Sequence, residues 1–218
     1  MKSNEELQKD VQDAIKWEPL LKAAEIGVTA KDGVVTLTGV VDHYSSKIEA
    51  ENAAKNVAGV KAVAIEIEVN YGGCFKKNDT DISNEIMNAW NWNWKIPETR
   101  IKVLVENGYV TLEGEVLWDY ERSAAEKSVE NLTGVKGISN NITIISESKD
   151  AIEQSAIEFA LDRSWPIYDH AVKVHVIGNK VTLTGIVHSL YQKDEAERLA
   201  WNASGVNSVD NELSIEFS

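Results

Sequence analysis

The chain has 218 residues, and its 22 Lys and Arg face 35 Asp and Glu, for a formal charge of −13. That balance excludes an ordinary nucleic-acid binder, which needs a basic footprint to release phosphate counterions, and it excludes simple electrostatic attachment to anionic headgroups. The hydrophobic fraction of 43% and charged fraction of 26% suit a folded chain, and no apolar run approaches the ~18 residues of a transmembrane span.

The opening stretch MKSNEELQKDVQDA has no apolar region of signal-peptide length, so the sequence as written predicts a cytoplasmic protein, with the periplasm as the alternative for a processed chain. Ser3 and Glu6 have capping-box spacing. Leu7, Val11, Ala14 and Ile15 then recur on one helical face, and Pro19 marks its end. Ile26, Val28 and Ala30 alternate as a strand, KDG turns the chain, and VVTLTGVV (Val34 to Val41) follows as the second arm of a hairpin. Gly39 interrupts that strand, where glycine has no side chain to pack. It is expected to end the strand where the chain bends towards a second helix, or where that helix crosses closely. Ser46 and Glu49 have the spacing of that helix's capping box, and Ala50, Ala53, Ala54 and Val57 form its apolar face. Gly59 is expected to cap its C-terminus, and Val63, Ile65, Ile67 and Val69 alternate as a closing strand.

The same order recurs twice. YVTLEGEV (Tyr109 to Val116) and KVTLTGIV (Lys180 to Val187) repeat the glycine strand. Gly39, Gly114 and Gly185 stand 75 and 71 positions apart, and each is followed after 20 residues by a Gly-Val pair at Gly59, Gly134 and Gly205. An Ala-Glu pair lies between them each time: Ala50-Glu51, Ala125-Glu126 and Ala196-Glu197. Trp17, Trp94 and Trp165 precede the strand glycines of the three copies, by 22, 20 and 20 residues, with a short insertion around PLLKAAE expected in the first. In the second copy Ile82, Ile86, Ala89 and Trp90 form the first helix face, Pro97 stops it, and Ile101, Val103 and Val105 open the hairpin through ENG. In the third the corresponding residues are Ile152, Ala156, Phe159 and Ala160, then Pro166, then Val172, Val174 and Val176 through IGN, with Val209, Leu213, Ile215 and Phe217 closing. Ser189 and Gln192 repeat the cap of the second helix. The expected fold is α+β: three tandem two-layer αββαβ modules, each a small mixed three-stranded sheet covered by two helices. The expected domains are residues 1–70, 79–146 and 150–218. Residues 1–70, 71–146 and 147–218 carry −4, −3 and −6, so no module is a hidden basic one.

The phrases DGVVTLTGVV, NGYVTLEGEV and GNKVTLTGIV, with the Ala-Glu and Gly-Val pairs, resemble the BON domain family over nearly the whole chain. AEKSVENLTGVKGISNNITI (Ala125 to Ile144) is similar to that family's second half. The resemblance implies a non-enzymatic binding module attached to phospholipid membranes or their interfaces, with no cofactor and no catalytic residues to carry over. One cytoplasmic relative senses potassium, so the resemblance also admits a monovalent cation as ligand, or a protein-interaction scaffold.

Chemistry-bearing residues are sparse. A metal centre at His43, His170, His175 and His188 would need them to converge. His43 and His188 follow the glycine strand where the second copy has Leu117 or Trp118, so the repeat requires no ligand there and the histidines are expected on the surface. Cys74, the single cysteine, cannot form an internal disulfide and has no histidine nearby in sequence. No nucleophile elbow, phosphate loop or dinucleotide fingerprint occurs. The site candidates are therefore aromatic. In AWNWNWKIP (Ala89 to Pro97), Trp90 and Trp94 share a helical face and are expected in the core. Trp92 points elsewhere, and Trp118 follows the second glycine strand. Exposed tryptophans at Trp92 and Trp118 suit a bilayer or a protein interface. Gly39, Gly114, Gly185, Gly59, Gly134 and Gly205 are expected to serve the fold.

Overall fold

The computed structural model describes residues 2–72, 77–145, 152–164 and 172–216. In the first module Ser3 accepts the amide of Glu6, and the Glu6 carboxylate returns to the Ser3 amide, which starts helix α1 (Asn4–Trp17). Its stripe of Leu7, Val11 and Ile15 is buried. A single 3-10 turn then leads into the hairpin β1 (Ile26–Lys31) and β2 (Val34–Val41). Asp32 and Gly33 both take positive φ, 53° and 87°, the geometry of a tight hairpin turn whose twist matches the strands. Helix α2 (Tyr44–Lys55) carries the chain back over the sheet to β3 (Ala62–Val69), which pairs parallel to β2. The central strand therefore has an antiparallel neighbour on one side and a parallel one on the other.

The second module repeats this with α3 (Asp79–Asn91), β4 (Ile101–Glu106), β5 (Tyr109–Val116), α4 (Asp119–Glu130) and β6 (Gly137–Ile144). The third does so with α5 (Gln154–Ser164), β7 (Val172–Ile177), β8 (Lys180–Val187), α6 (Leu190–Trp201) and β9 (Ser208–Ile215). The three sheets are separate, each in the order first, second, third strand. Equivalent side chains recur in each core: Val35, Leu37 and Ala50; Val110, Leu112 and Ala125; Val181, Leu183 and Ala196. Full burial of one such Val or Leu removes enough apolar area to stabilise by about 1.5–3 kcal/mol.

Several details depart from the sequence expectations. Ser46 lies inside α2, which begins at Tyr44, so it caps nothing. His43 occupies the cap position without a side-chain bond. Ser189 does cap α6, accepting the Gln192 amide at 3.2 Å. Gly39 does not end its strand, because β2 continues to Val41. It pairs with Ile26, has φ 137°, and a Cβ there would overlap the carbonyl oxygen of Glu25. The neighbour that forbids a side chain is the entry to β1, not the second helix. Gly59 lies beyond the helix cap, which is Asn56, in the turn where the Val60 amide donates to the Val57 carbonyl.

The face expected for α5 is also displaced. Phe159 and Ala156 are exposed, and Ile157 and Leu161 are buried instead. The reason is local: Ile152 precedes the helix, which starts at Gln154, so a helical period counted from Ile152 runs out of phase. Finally, Leu7 and Gly39 have the same separation as Ile82 and Gly114, so the first module carries no insertion relative to the second. Pro166, Trp165, Cys74, His170 and Phe217 lie outside the described residues.

The Glu of the Ala-Glu pair has a structural partner. In the second module the side-chain amide of Asn140 on β6 donates to Glu126 (3.0 Å) and to the Arg122 carbonyl. In the third, Asn211 on β9 donates to Glu197 and to the Lys193 carbonyl. The first module has Ile65 at this place, and Glu51 instead pairs with Lys55 at 3.1 Å.

The modules are not strung out. Tyr44 and Ile48 of the first pack into the hydrophobic cluster of the second, and the Tyr71 hydroxyl donates to the Val135 carbonyl at 2.6 Å. Trp201 of the third packs against that same cluster, with the Arg122 guanidinium 4.6 Å from its ring centroid. Leu190 of the third packs against the cluster of the first, and Lys55 pairs with Asp194 at 2.9 Å. Every module thus touches both others, with the second helices at the contacts.

Candidate functional site

Helix α3 decides where the tryptophans go. It ends at Asn91, and the Asn93 amide then donates to the Trp90 carbonyl at 2.9 Å, turning the chain. Trp90 remains on the buried stripe at 1% exposure, and its indole N–H donates to Ser128 Oγ at 2.9 Å. After the turn Ile96, not Trp94, re-enters the core. Trp94 was expected to be buried on the Trp90 face; it is 85% exposed, and Lys95 Nζ lies 5.7 Å from its ring centroid. Trp92 is 90% exposed. Trp17 is 86% exposed as well. Superposing the buried stripes, Leu7 on Ile82, Val11 on Ile86 and Ile15 on Trp90, places Trp17 on Trp92 rather than on Trp94. The first two modules therefore carry an outward tryptophan at the same point, just where the first helix ends.

Trp118 is part-exposed at the start of α4, where its amide donates to Glu121 at 3.1 Å. Among the described residues no ring contact joins it to Trp92 or Trp94. His43, His175 and His188 are on the surface, and the His43 ring meets Tyr71 edge-on at 5.7 Å. Among the described residues no group of three or more His, Cys, Asp or Glu converges as a metal site would require.

The joint between the first two modules collects carboxylates. Glu130 is half-buried, and its pKa is raised first by that burial and then by Glu126 and by Glu49 across the joint, with Lys127 opposing. Tyr44, in the same joint, is also pushed up by burial. Sequence reasoning missed these joints, because Tyr44, Leu190 and Trp201 sit on amphipathic helices whose pattern is satisfied within each module.

Three αββαβ modules with antiparallel and parallel neighbours on one central strand define a small two-layer α+β repeat protein. The chain belongs to the BON domain family, whose model matches residues 3–71, 78–146 and 149–216. It is 30% identical over 126 residues to osmotically-inducible protein Y of Escherichia coli strain K12, a match covering 56% of this chain and 63% of that protein. It is 28% identical over 138 residues to the outer membrane lipoprotein DolP of Haemophilus influenzae, covering 62% of this chain and 71% of that one. The match thus spans under two thirds of the length of the Escherichia coli protein. Among solved structures, CdsD, a structural protein of the Type III secretion system of Chlamydia trachomatis, aligns over 96% of this chain and 92% of its own at 16% identity. Its TM-score is 0.27, too low to define a shared arrangement.

Proposed function

We propose that this is a non-enzymatic binding protein associated with the bacterial envelope and osmotic stress, engaging a phospholipid interface through exposed indoles rather than basic charge. The observation that carries this is the trio Trp17, Trp92 and Trp94, each at least 85% exposed, the first two where a first helix ends and the third in the turn just beyond. An indole has an apolar body and one N–H donor, which suits the boundary between acyl chains and water. Each Trp can bury ~150–250 Å², about 4–6 kcal/mol at 25 cal/mol per Å² before ordering costs. Three such side chains on one chain, engaging one surface together, offset the repulsion a chain of −13 meets at an anionic surface. Trp118 is a secondary contact in this reading. The relatives bear names that speak of osmotic induction and of the outer membrane, which favours the envelope over the cytoplasm.

Vesicle flotation tests this. The full chain is expected to float with phosphatidylethanolamine/phosphatidylglycerol vesicles at low and at physiological salt, with a blue shift of indole emission. Replacing Trp17, Trp92 and Trp94 together by Ala should abolish both. Absence of flotation with every headgroup composition at both salt concentrations would remove the proposal.

A further inference from the structure

The three joints are built from equivalent positions, and one of them lacks its plug. The fifth residue after each strand glycine is Tyr44, Asp119 or Leu190, the first residue of the second helix. Tyr44 inserts into the second module and Leu190 lies against the first. Asp119 has no apolar body to insert. It is 6% exposed, pairs with Arg122 at 2.5 Å and accepts from Ser123. Beside it the second and third modules leave a cleft of about 490 Å³, lined from one side by Lys95, Asp119, Tyr120 and Lys127, and from the other by Arg198 and Asn202.

The charges of this cleft run against those of the chain. Asp119 is neutralised by Arg122, and Arg198 holds Glu195 through two bonds of 2.6 and 2.7 Å. Lys95 and Lys127 pair with no carboxylate among the described residues. Glu130 and Glu195 sense the Lys127 charge without pairing to it. Two ammonium groups with free donors, a guanidinium and the hydroxyl and amide of Tyr120 and Asn202 therefore line one concave surface in a protein of net −13. Lysine is a point-charge binder of phosphate, and each charge-assisted hydrogen bond contributes more than a neutral one.

We propose that the cleft between the second and third modules binds a tetrahedral phosphate-type oxyanion, carried on a small hydroxylated group that Tyr120 and Asn202 bond. A free phosphate ester and a glycerophosphate headgroup share that chemistry. The cleft adjoins the tryptophan surface at Lys95, whose Nζ lies 5.7 Å from the Trp94 ring centroid, and Lys127 on α4 is the position whose variant tests the cleft apart from the indoles.

The test titrates the full chain at fixed ionic strength with inorganic phosphate, then sn-glycerol 3-phosphate, with chloride as the control, following amide shifts by NMR. Lys95 and Lys127 are exposed, so Lys127→Gln and Lys95→Gln should leave the fold intact, as circular dichroism would verify. Saturable binding that weakens by about tenfold or more in Lys127→Gln is expected. A parallel arm uses vesicles with and without phosphatidylglycerol. Binding of the soluble esters assigns the site to a free phosphate, whereas Lys127-dependent capture by phosphatidylglycerol vesicles alone assigns it to a headgroup. If neither soluble phosphate nor phosphatidylglycerol vesicles show a Lys127-dependent response, the proposal is overturned. That result leaves the Trp17/Trp92/Trp94 flotation outcome untouched.

Discussion

The Arg122 guanidinium lies 4.6 Å from the ring centroid of Trp201 and so fastens the second module to the third. The same indole carries a buried N–H that meets no acceptor among the described residues. These two facts oppose one another energetically. A cation over an indole contributes roughly 0.5–2 kcal/mol, while an unsatisfied buried donor costs about 1–3 kcal/mol. Trp201→Phe should therefore shift stability by less than about 1 kcal/mol, because it surrenders part of the first and removes the second. Trp201→Ala should cost about 3 kcal/mol or more. Urea denaturation midpoints of the two variants would check the contrast; equal losses would show that the N–H is satisfied.

Gly39 and Glu25 make a second case. The φ of 137° and the overlap any Cβ would have with the Glu25 carbonyl act together. Gly39→Ala is expected to destabilise by more than about 2 kcal/mol, and Gly114→Ala, facing the Arg100 carbonyl in the same way, should match it. Beyond its chain neighbours, no atom of the described residues lies within 4 Å of a Cβ built on Gly72, so Gly72→Ala should stay within about 0.5 kcal/mol of wild type. Thermal melts of the three would separate backbone strain from general intolerance of alanine.

Tyr44 joins folding units that would otherwise melt independently. It is a buried member of the second module's cluster although α2 belongs to the first. Removing the ring should cost about 3–5 kcal/mol, as for other large aromatics, and it should do so at the joint. Calorimetry of Tyr44→Ala is expected to show the transition broadening or splitting, while wild type unfolds with the first two modules coupled. A single, uniformly shifted transition would mean that the coupling runs through Tyr71 and Val135 instead.

Glu130 predicts a pH dependence. Burial, with Glu126 and Glu49 nearby, raises its pKa above the ordinary 4.5. In the window between 4.5 and that raised value the folded state holds a proton that the unfolded state has lost, so stability falls as pH rises through it. Above the window the carboxylate remains charged and half-buried at a constant cost. Glu130→Gln should therefore stabilise the protein at pH 7 and lose that advantage below about pH 4.5. Melting temperatures of both forms from pH 4 to 8 would show the curves converging in acid. Parallel curves would place the cost elsewhere.

Most of the architecture could be read from local signals. The alternation of Ile26, Val28 and Ala30, the KDG and ENG turns, and the recurring strand glycines are short-range patterns, and each marks the element the structure shows. The displaced face of α5 shows the limit of that approach. Ile152 is apolar and buried but stands before the helix, so periodicity alone counts it into the wrong frame. Trp94 failed for a related reason: the turn at Asn91 to Asn93 resets the register, and Ile96 takes the buried place. The joints were invisible because contacts between modules obey no sequence period. A usable trace existed in the equivalent positions Lys55, Glu130 and Trp201, where an apolar ring stands alone among charges, as a residue facing another module would.

Because the third module comes back against the first, both flanks of every unit are already occupied by siblings. An open row of such units could lengthen at its tips and recruit strangers by the same handshake. A triangle has no tips, so its growth is self-limiting, and anything it captures must land on an outer facet or in a crevice between neighbours.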